Sequence, residues 1–449
     1  MVLHLPSDAL DILRELNAAG YAAYAVGGCV RDALMGREPK DVDICTSATP
    51  EEMKRVFAAS HVVETGLKHG TLTVVRRHVP YEVTTFRLDG GYTDHRHPDS
   101  VRFVSDVRED LARRDFTVNA MAWNPEEGLV DAFGGQADLA AGLLRCVGDP
   151  VTRFTEDALR VMRALRFAAV YGFRIEDKTA EAARKMAPGI LEVAAERVRV
   201  ELAKLLCGPH AGDILRAYPD IITLLIPELK PCLGFDQRNP HHRYDVWEHT
   251  VRAVENAPAT ETLRLTMLLH DAGKPETFTV DEDGVGHFYG HAKRSGEIAE
   301  RVAERFRLDN ATRDRVLLLV RHHDDFLHSE PKQMLRELNR VGEEAVRQLI
   351  EVRRADALAT GTVDPAEVSA VCGALLRALE DTLASQACFS LKQLAVSGRD
   401  LIAAGMRPGP ALGDTLEALL QAVMDGRVEN DREKLLEMAK QRIADTAQG

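Results

Sequence analysis

Asp41 and Asp43 stand two apart in PKDVDICT, a spacing that puts both carboxylates on one face if the segment is a strand. Two like charges so close repel unless a cation joins them. Carboxylates together with substrate phosphates are the usual holders of Mg²⁺, and two such ions stabilise both the attacking and the leaving oxygen of a phosphoryl transfer. Glu82, in YEVTTFR, can join from a neighbouring strand. Just upstream, GGCVRD offers Gly28, where backbone can approach a phosphate closely, and Arg31, whose planar fork suits a triphosphate. DxD alone is common and Gly-Gly alone is only a turn. The order strand, turn, helix, strand joins them into a phosphate cradle beside a metal site.

GGCVRD and KDVDI are followed by RRDFTVNAMA (113 to 122), FGGQADLAAGLLRCVGDP (133 to 150), FTEDALRVMRALRFA (154 to 168) and ERVRVELAKLL (196 to 206). In this order they resemble the successive motifs of the class II nucleotidyltransferases, which include the CCA-adding tRNA nucleotidyltransferases and the bacterial poly(A) polymerases. The resemblance implies an α+β head with a mixed sheet and helices, followed by a largely all-α neck, body and tail. It implies Asp41 and Asp43 as catalytic residues on Mg²⁺, and tRNA, CTP and ATP as substrates, with CMP and AMP joined to the tRNA 3′ end and pyrophosphate released. It places Arg114 and Asp115 near the nucleotide, Asp115 toward the ribose. The segment DGGYTDHRHPDSVRF (89 to 103) corresponds to the family's flexible loop, which favours an enzyme that completes CCA. A CC-only or A-only enzyme is the alternative, as is a poly(A) polymerase, which the lack of a long basic C-terminal tail disfavours.

If 154 to 168 is one helix, Ala158, Val161, Met162, Leu165, Ala168 and the following Ala169 fall on one apolar arc at ~100° per residue. Glu156, Asp157, Arg160, Arg163 and Arg166 fall on the other. Such an arc is usually a solvated face. It also has a chemical use. Cytosine and adenine both present an exocyclic amine beside a ring-nitrogen acceptor; Asp157 can accept from the amine and Arg160 can donate to the ring. Uracil and guanine would set acceptor against acceptor and donor against donor. The resemblance implies this templating role for EDxxR, with Arg163 and Arg166 holding phosphates or ordering the site.

In the second half, His249 lies in YDVWEHTVRAVEN, His270 and Asp271 follow LRLTMLL, and Asp356 lies in RRADALA. This set resembles the HD phosphohydrolase superfamily. Imidazole and carboxylate ligands suit a divalent metal with open positions for water and phosphate. His291, and His322 or His323, are candidates for a second metal, and Lys274 for a substrate phosphate.

The elements that must position these residues begin with a helix over 8 to 19, a strand in YAAYAV, the Gly27-Gly28 turn and a strand in VDICT. Thr49, Pro50 and Glu52 then form a capping box that starts a helix. TLTVVR and YEVTTFR read as strands; beyond Thr155 nearly every periodic segment is helical. The expected regions are a head (1 to 145), a helical neck and body (146 to 235), an HD region (236 to 365) and a C-terminal tRNA-binding helical region (366 to 449), in which Pro408-Gly409-Pro410 offers either a phosphate contact or a helix start. The 449 residues suffice for large cores, and the net charge of −13 argues against nonspecific RNA binding. A local groove rich in arginine (Arg145, Arg153, Arg160, Arg163, Arg166, Arg174, Arg184, Arg197, Arg199) would reconcile that charge with tRNA. Seven scattered cysteines without a CxxC pair point to a reduced cytoplasm, and no apolar run is long enough for a membrane span. A regulatory uridylyltransferase-like protein and a noncatalytic RNA-binding relic are the other classes; the intact Asp41, Asp43, Asp157 and Arg160 speak against the relic.

Overall fold

The computed structural model describes residues 3–67, 70–90, 100–385 and 387–448, in two compact units, Met1–Pro227 and Glu228–Gly449. The division falls inside LIPELKPCLGF, whose prolines and glycine mark a joint.

The first unit opens with α1 (Ser7–Ala18), whose Ile12, Leu13 and Leu16 are fully buried. Then come β1 (Ala23–Val26), α2 (Gly28–Leu34), β2 (Asp43–Thr46), α3 (Pro50–Val56), β3 (His61–Gly66), β4 (Thr71–Arg76), β5 (Val79–Thr85), α4 (Val107–Ala112), β6 (Ala122–Asn124) and β7 (Gly128–Val130). The strands form one mixed sheet in the order β3-β4-β5-β2-β1-β6-β7. β2 runs parallel to β5, and the other neighbours are antiparallel. The expected capping box starts α3: the Glu52 N–H donates to Thr49 Oγ1, and the Thr49 N–H donates to Glu52 Oε2 at 2.8 Å.

Both faces of the central strands are covered. Ala25, Ile44 and Val83 pack with Leu13, Leu16 and Met53, whereas Tyr24, Val26 and Cys45 pack with Phe86, Leu111 and Ala122. Strands buried on two sides read as continuous apolar runs instead of alternating ones, which is why AYAV and DICT carry so few polar residues. The register pairs Val26 with Asp43 and Ile44 with Val83. Asp43 therefore begins β2 at the point where β1 gives way to the Gly27-Gly28 turn, and Glu82 stands beside it on the parallel strand. Asp41 precedes the strand, in a bend.

The helix expected over 154 to 168 is two: α5 (Pro150–Glu156) and α6 (Leu159–Tyr171), with Asp157 extended between them at φ −144° and ψ 103°. The cause is local. Asp157 Oδ1 accepts the Leu159 N–H at 3.0 Å, offering the backbone the alternative partner that makes Asp a poor interior helix residue. The apolar arc survives the break, since Ala158, Val161, Met162, Leu165, Ala168 and Ala169 are all buried. Further on, α7 (Ala195–Leu206) packs against α6.

The second unit is helical. Its first part contains α8 (Val246–Asn256), α9 (Glu261–Leu269), α10 (His291–Arg305), α11 (Asn310–His322) and α12 (Glu343–Ala359). The C-terminal helices share a separate apolar cluster around Leu401, Leu419, Leu420 and Leu435. Pro410 is the first residue of helix Pro410–Met424, so the Pro-Gly-Pro motif acts as a helix start. All seven cysteines are free. Among the described residues no helix is long and apolar enough to cross a membrane.

Candidate active site

Two adjoining cavities in the first unit share Arg114, Asp115 and Arg163 as walls. The larger, about 430 Å³, is lined by Gly27, Gly28, Arg31, Asp41, Asp43 and Arg166, among others. The smaller, about 260 Å³, is lined by Asp157, Leu159, Arg160, Arg197 and Arg113 besides the shared residues. The fold thus brings the DxD segment, the Gly-Gly turn, the RRD segment and the Asp157–Arg160 pair to one place. Partial desolvation raises the carboxyl of Asp43, which still reaches solvent, above the ordinary range; Arg114 opposes this and Asp41 adds to it. A pair of crowded hard-oxygen donors without a buried cationic partner of their own fits a divalent ion. Asp41, Asp43 and Glu82 do not converge as a triad in which every ligand atom lies within 4.8 Å of the others.

The arginines here are held, not solvated. Asp115 is buried, and its Oδ2 accepts from Arg163 Nε and Nη2 at 2.9 and 2.6 Å while its Oδ1 accepts from the Phe116 N–H and Asn119 Nδ2. Burial alone would raise this carboxyl, but the Arg163 charge and its hydrogen bonds bring it down to about 2. A carboxylate has about four lone-pair sites, and with two bonds to each oxygen Asp115 anchors Arg163. Arg31 is likewise engaged: it donates to Asn119 Oδ1 (2.6 Å), Asp32 Oδ1 and the Tyr171 hydroxyl (2.6 Å), with its guanidinium 4.4 Å from the Tyr171 ring centre. Arg160 pairs with Glu156 at 2.6 Å, Arg166 with Glu201 at 2.9 Å and Arg197 with Asp157 at 3.1 Å.

Of the nine arginines expected to make a basic groove, eight lie within ion-pair distance of a carboxylate, and Arg199 also has a partner. The arginines of the expected groove are thus ion-paired or otherwise partnered within the protein. The ion pairs fix the arginines in place and leave part of their N–H groups uncommitted to them.

In the second unit six side chains converge. His249 Nε2 lies 3.2 Å from Asp271 Oδ2 and 2.9 Å from Asp356 Oδ1; His270 Nε2 lies 3.3 and 3.4 Å from the same two atoms. Burial opposes a charge on His270, but Asp271 and Asp356 outweigh it and hold its pKa up at about 10. Among the described residues, buried His249 Nδ1 has no hydrogen-bond partner. His291 and His323 meet the other oxygen of Asp271. Of the two candidates in RHHDDF, it is therefore His323 that joins the cluster, whereas His322 pairs with Asp325 at 2.7 Å. Lys274, expected to meet a substrate phosphate, is buried against Asp271 (2.7 Å) and Gln237 (2.9 Å).

The family model described as Poly A polymerase head domain matches residues 23–145, that of the "Probable RNA and SrmB- binding site of polymerase A" matches 172–232, and that of tRNA nucleotidyltransferase domain 2 matches 289–439. A CCA-adding enzyme of Lactobacillus helveticus is 35% identical over 94% of this chain and 94% of its own. The chain belongs to the CCA-adding enzyme family. Another relative of that name, from Geobacillus kaustophilus, is 35% identical over 95% of both chains. Among solved structures, the Bacillus stearothermophilus CCA-adding enzyme in complex with CTP is 30% identical, covers 98% of both chains and superposes with a TM-score of 0.72. Nucleotidyltransferases of this family use a divalent metal.

Against this family background, several site residues escaped the sequence reading. Arg113 lines the smaller cavity and lies in RRD, a motif already singled out; Arg197, named only as a groove arginine, lines it too. Asn119 and Tyr171 hold Arg31 and carried no signal beyond lying near those motifs. At the turn, the special backbone belongs to Gly27, at φ 80°, and Gly28 is an ordinary first helical residue. The segment 91–99 of the expected flexible loop lies outside the described residues; its flanks, Arg87–Asp89 and Val101–Phe103, pair as an antiparallel ribbon.

Proposed function

We propose that this chain adds CCA to the 3′ end of tRNA by template-independent transfer of CMP and AMP from CTP and ATP, releasing pyrophosphate. The observation that carries the reading is the continuity of the two cavities: a carboxylate and a guanidinium able to read a base edge adjoin the paired aspartates where phosphates would react. The family and the CTP complex of the Bacillus stearothermophilus relative support the same substrates.

Asp41 and Asp43 would hold Mg²⁺, which when bound polarises the phosphate and stabilises charge on the attacking and leaving oxygens. Asp157 and Arg160 select the base, accepting from the exocyclic amine and donating to the ring nitrogen. Arg163, fixed by Asp115, and Arg166, fixed by Glu201, direct their remaining N–H groups to phosphates. Arg114 and Gly28 line the phosphate side, and Arg31 positions Asn119 and Tyr171 around it. The 3′-hydroxyl oxygen of the RNA bonds to the α-phosphorus as the bond to pyrophosphate breaks. The four-region division, with RNA-binding neck and tail, extends this reading along the chain, and the seven reduced thiols suit work in the cytoplasm. In the second unit His249, His270, Asp271 and Asp356 hold a divalent metal as an accessory phosphohydrolase centre.

The experiment is incubation of the purified chain with tRNA lacking CCA and each labelled nucleotide in turn. Incorporation of two C and then one A, with U and G refused, is the expected result. Unlimited A addition would make the chain a poly(A) polymerase; C alone or A alone would make it a partial adder.

A further inference from the structure

A closed hydrogen-bonded circuit in the first unit starts and ends on α6. Arg163 Nε and Nη2 donate to Asp115 Oδ2 at 2.9 and 2.6 Å, and Asn119 Nδ2 donates to Asp115 Oδ1 at 3.2 Å. Arg31 Nη1 donates to Asn119 Oδ1 (2.6 Å), and Arg31 Nη2 donates to the hydroxyl of Tyr171 (2.6 Å), the last residue of α6. Arg31, Asn119 and Asp115 are each at most 8% exposed. The Tyr171 hydroxyl donates in turn to Asp32 Oδ1 at 3.1 Å, the oxygen that Arg31 Nε and Nη2 also meet, at 2.9 and 2.8 Å. Four of the five Arg31 N–H groups are thus committed. A buried network satisfied at every link is rigid, and its bonds are strengthened by the low dielectric around them. The Tyr171 ring is held separately, stacked on Phe167 at 6.0 Å and on Phe173 at 5.4 Å. Its hydroxyl is therefore the part that closes the circuit.

The circuit joins the two ends of the site. α6 carries Arg160 one turn before Arg163, and α2 starts at Gly28, directly after the Gly27 turn that lines the larger cavity beside Asp41 and Asp43. Its attachments to α6, Arg163 and Tyr171, stand about two helical turns or ~12 Å apart. A helix pinned at one point can pivot, whereas one pinned at two points keeps its direction. We infer that Tyr171 and Asn119 are positioning residues that lock the base-reading helix α6 to the phosphate turn, so that a nucleotide whose base pairs with Asp157 and Arg160 brings its α-phosphorus to the paired aspartates and a mismatched one does not. The inference rests on the base reading assigned above; the lock and the role of these two residues in it are new. It makes selectivity a property of transfer as well as of binding. CTP in register uses both ends of the frame, and UTP, displaced by its mismatched edge, gains little from it. Opening the circuit therefore slows transfer from CTP more than from UTP. The contacts to base and to phosphates survive one by one, so the loss falls on kcat more than on KM. A tie that only held α2 and α6 together would slow both nucleotides equally.

The test uses the full chain with Tyr171→Phe, which keeps the stacked ring and removes only the hydroxyl, and with Asn119→Ala, which opens the circuit at another link. A melting curve verifies the fold of each, and either folded variant decides the matter. kcat and KM for CTP and for UTP are measured on tRNA lacking CCA, with and without Arg160→Ala. Tyr171→Phe should lower kcat for CTP about tenfold, where a misplacement of ~1 Å can cost ~100-fold, and should move KM for CTP less than about threefold. The preference for CTP over UTP should fall about fivefold, within the range by which members of one network couple. Asn119→Ala should act alike, and the two changes together should lose little more preference than either alone, since a circuit is opened by its first break. Tyr171 and Arg160 are ~16 Å apart along α6, beyond the ~10 Å within which neighbours usually couple. In the Arg160→Ala background Tyr171→Phe should nevertheless cost less of the preference than in the parent. Equal slowing of CTP and UTP, unchanged rates with both, or the same loss of preference in both backgrounds would overturn the lock while base reading stood. An unchanged preference in Arg160→Ala itself would overturn base reading, and the lock with it.

Discussion

Replacing Arg160 with alanine tests base selection, and the size of the effect follows from how its guanidinium is used. Three of its five N–H groups are engaged: Nη1 donates to Glu156 Oε2 (2.6 Å) and to the Arg153 carbonyl (3.1 Å), and Nη2 donates to the Arg113 carbonyl (3.1 Å). One Nη2 N–H and the Nε N–H remain for a base. Asp157 accepts one bond on each oxygen, from the Leu159 N–H and from Arg197, so each keeps an acceptor site. Against uracil both partners are mismatched. At ~1–3 kcal/mol for each unpaired polar group, discrimination of CTP over UTP should be about 2–6 kcal/mol, or roughly 30- to 20,000-fold at ~1.4 kcal/mol per tenfold. Arg160→Ala removes one mismatch and should reduce the preference to about 5- to 150-fold, while Glu156 keeps Arg153 at 2.6 Å as its partner. The assay compares kcat/KM for CTP and UTP on tRNA lacking CCA, and for ATP and GTP on tRNA ending in CC, with a melting curve to show that the variant is folded. Asp157→Asn gives the converse: an amide N–H can face the uracil carbonyl, so UTP should gain relative to CTP. A folded Arg160→Ala enzyme with wild-type selectivity would refute side-chain reading of the base edge.

Asp41→Ala and Asp43→Ala should each abolish CMP transfer while tRNA binding, measured by filter retention, stays nearly normal; near-wild-type turnover by either would remove it from catalysis. Gly27→Ala places a Cβ 2.9 Å from Arg114 Nη1 at a φ of 80° and should destabilise the first unit by ~1–2 kcal/mol in urea unfolding, whereas Gly28→Ala, with 3.5 Å to its nearest neighbour, should not. Asp115→Asn leaves Arg163 without its partner and should cost about 2 kcal/mol, below the ~3–5 typical of a fully buried pair because Arg163 is 35% exposed. The folded carboxyl of Asp115, at about 2, lies below its unfolded value. Its stabilisation is therefore complete above ~4 and lost as the pH falls toward 2, so the gap between wild type and Asp115→Asn should narrow by about 1 kcal/mol between pH 6 and pH 3; a gap that widened would show that Asp115 is not the anchor of Arg163.

What the sequence disclosed and what it hid divide along one physical line. Asp41, Asp43 and the glycines were legible because β1, the turn, α2 and β2 follow one another along the chain, whereas the register that pairs Val26 with Asp43 is set by the packed sheet. The apolar arc of 158 to 169 was legible for the same reason: periodicity needs only neighbours along the chain. The break at Asp157 was not, because the apolar spacing continues through it, and only the competition between a carboxylate and the helical backbone for the Leu159 N–H ends the first helix. The partners of the arginine arc were hidden for a deeper reason. A guanidinium counts as free charge until its partners are known, and Asp115, 48 residues before Arg163 in the chain, or Glu201, 35 after Arg166, can be matched to them only by the fold. His322 and His323 show the limit most sharply. As adjacent residues at a helix end they point about 100° apart, which sends one to Asp325 and the other to Asp271. Composition supplies candidates for a metal site, but a rotation of one residue decides which of them joins the cluster.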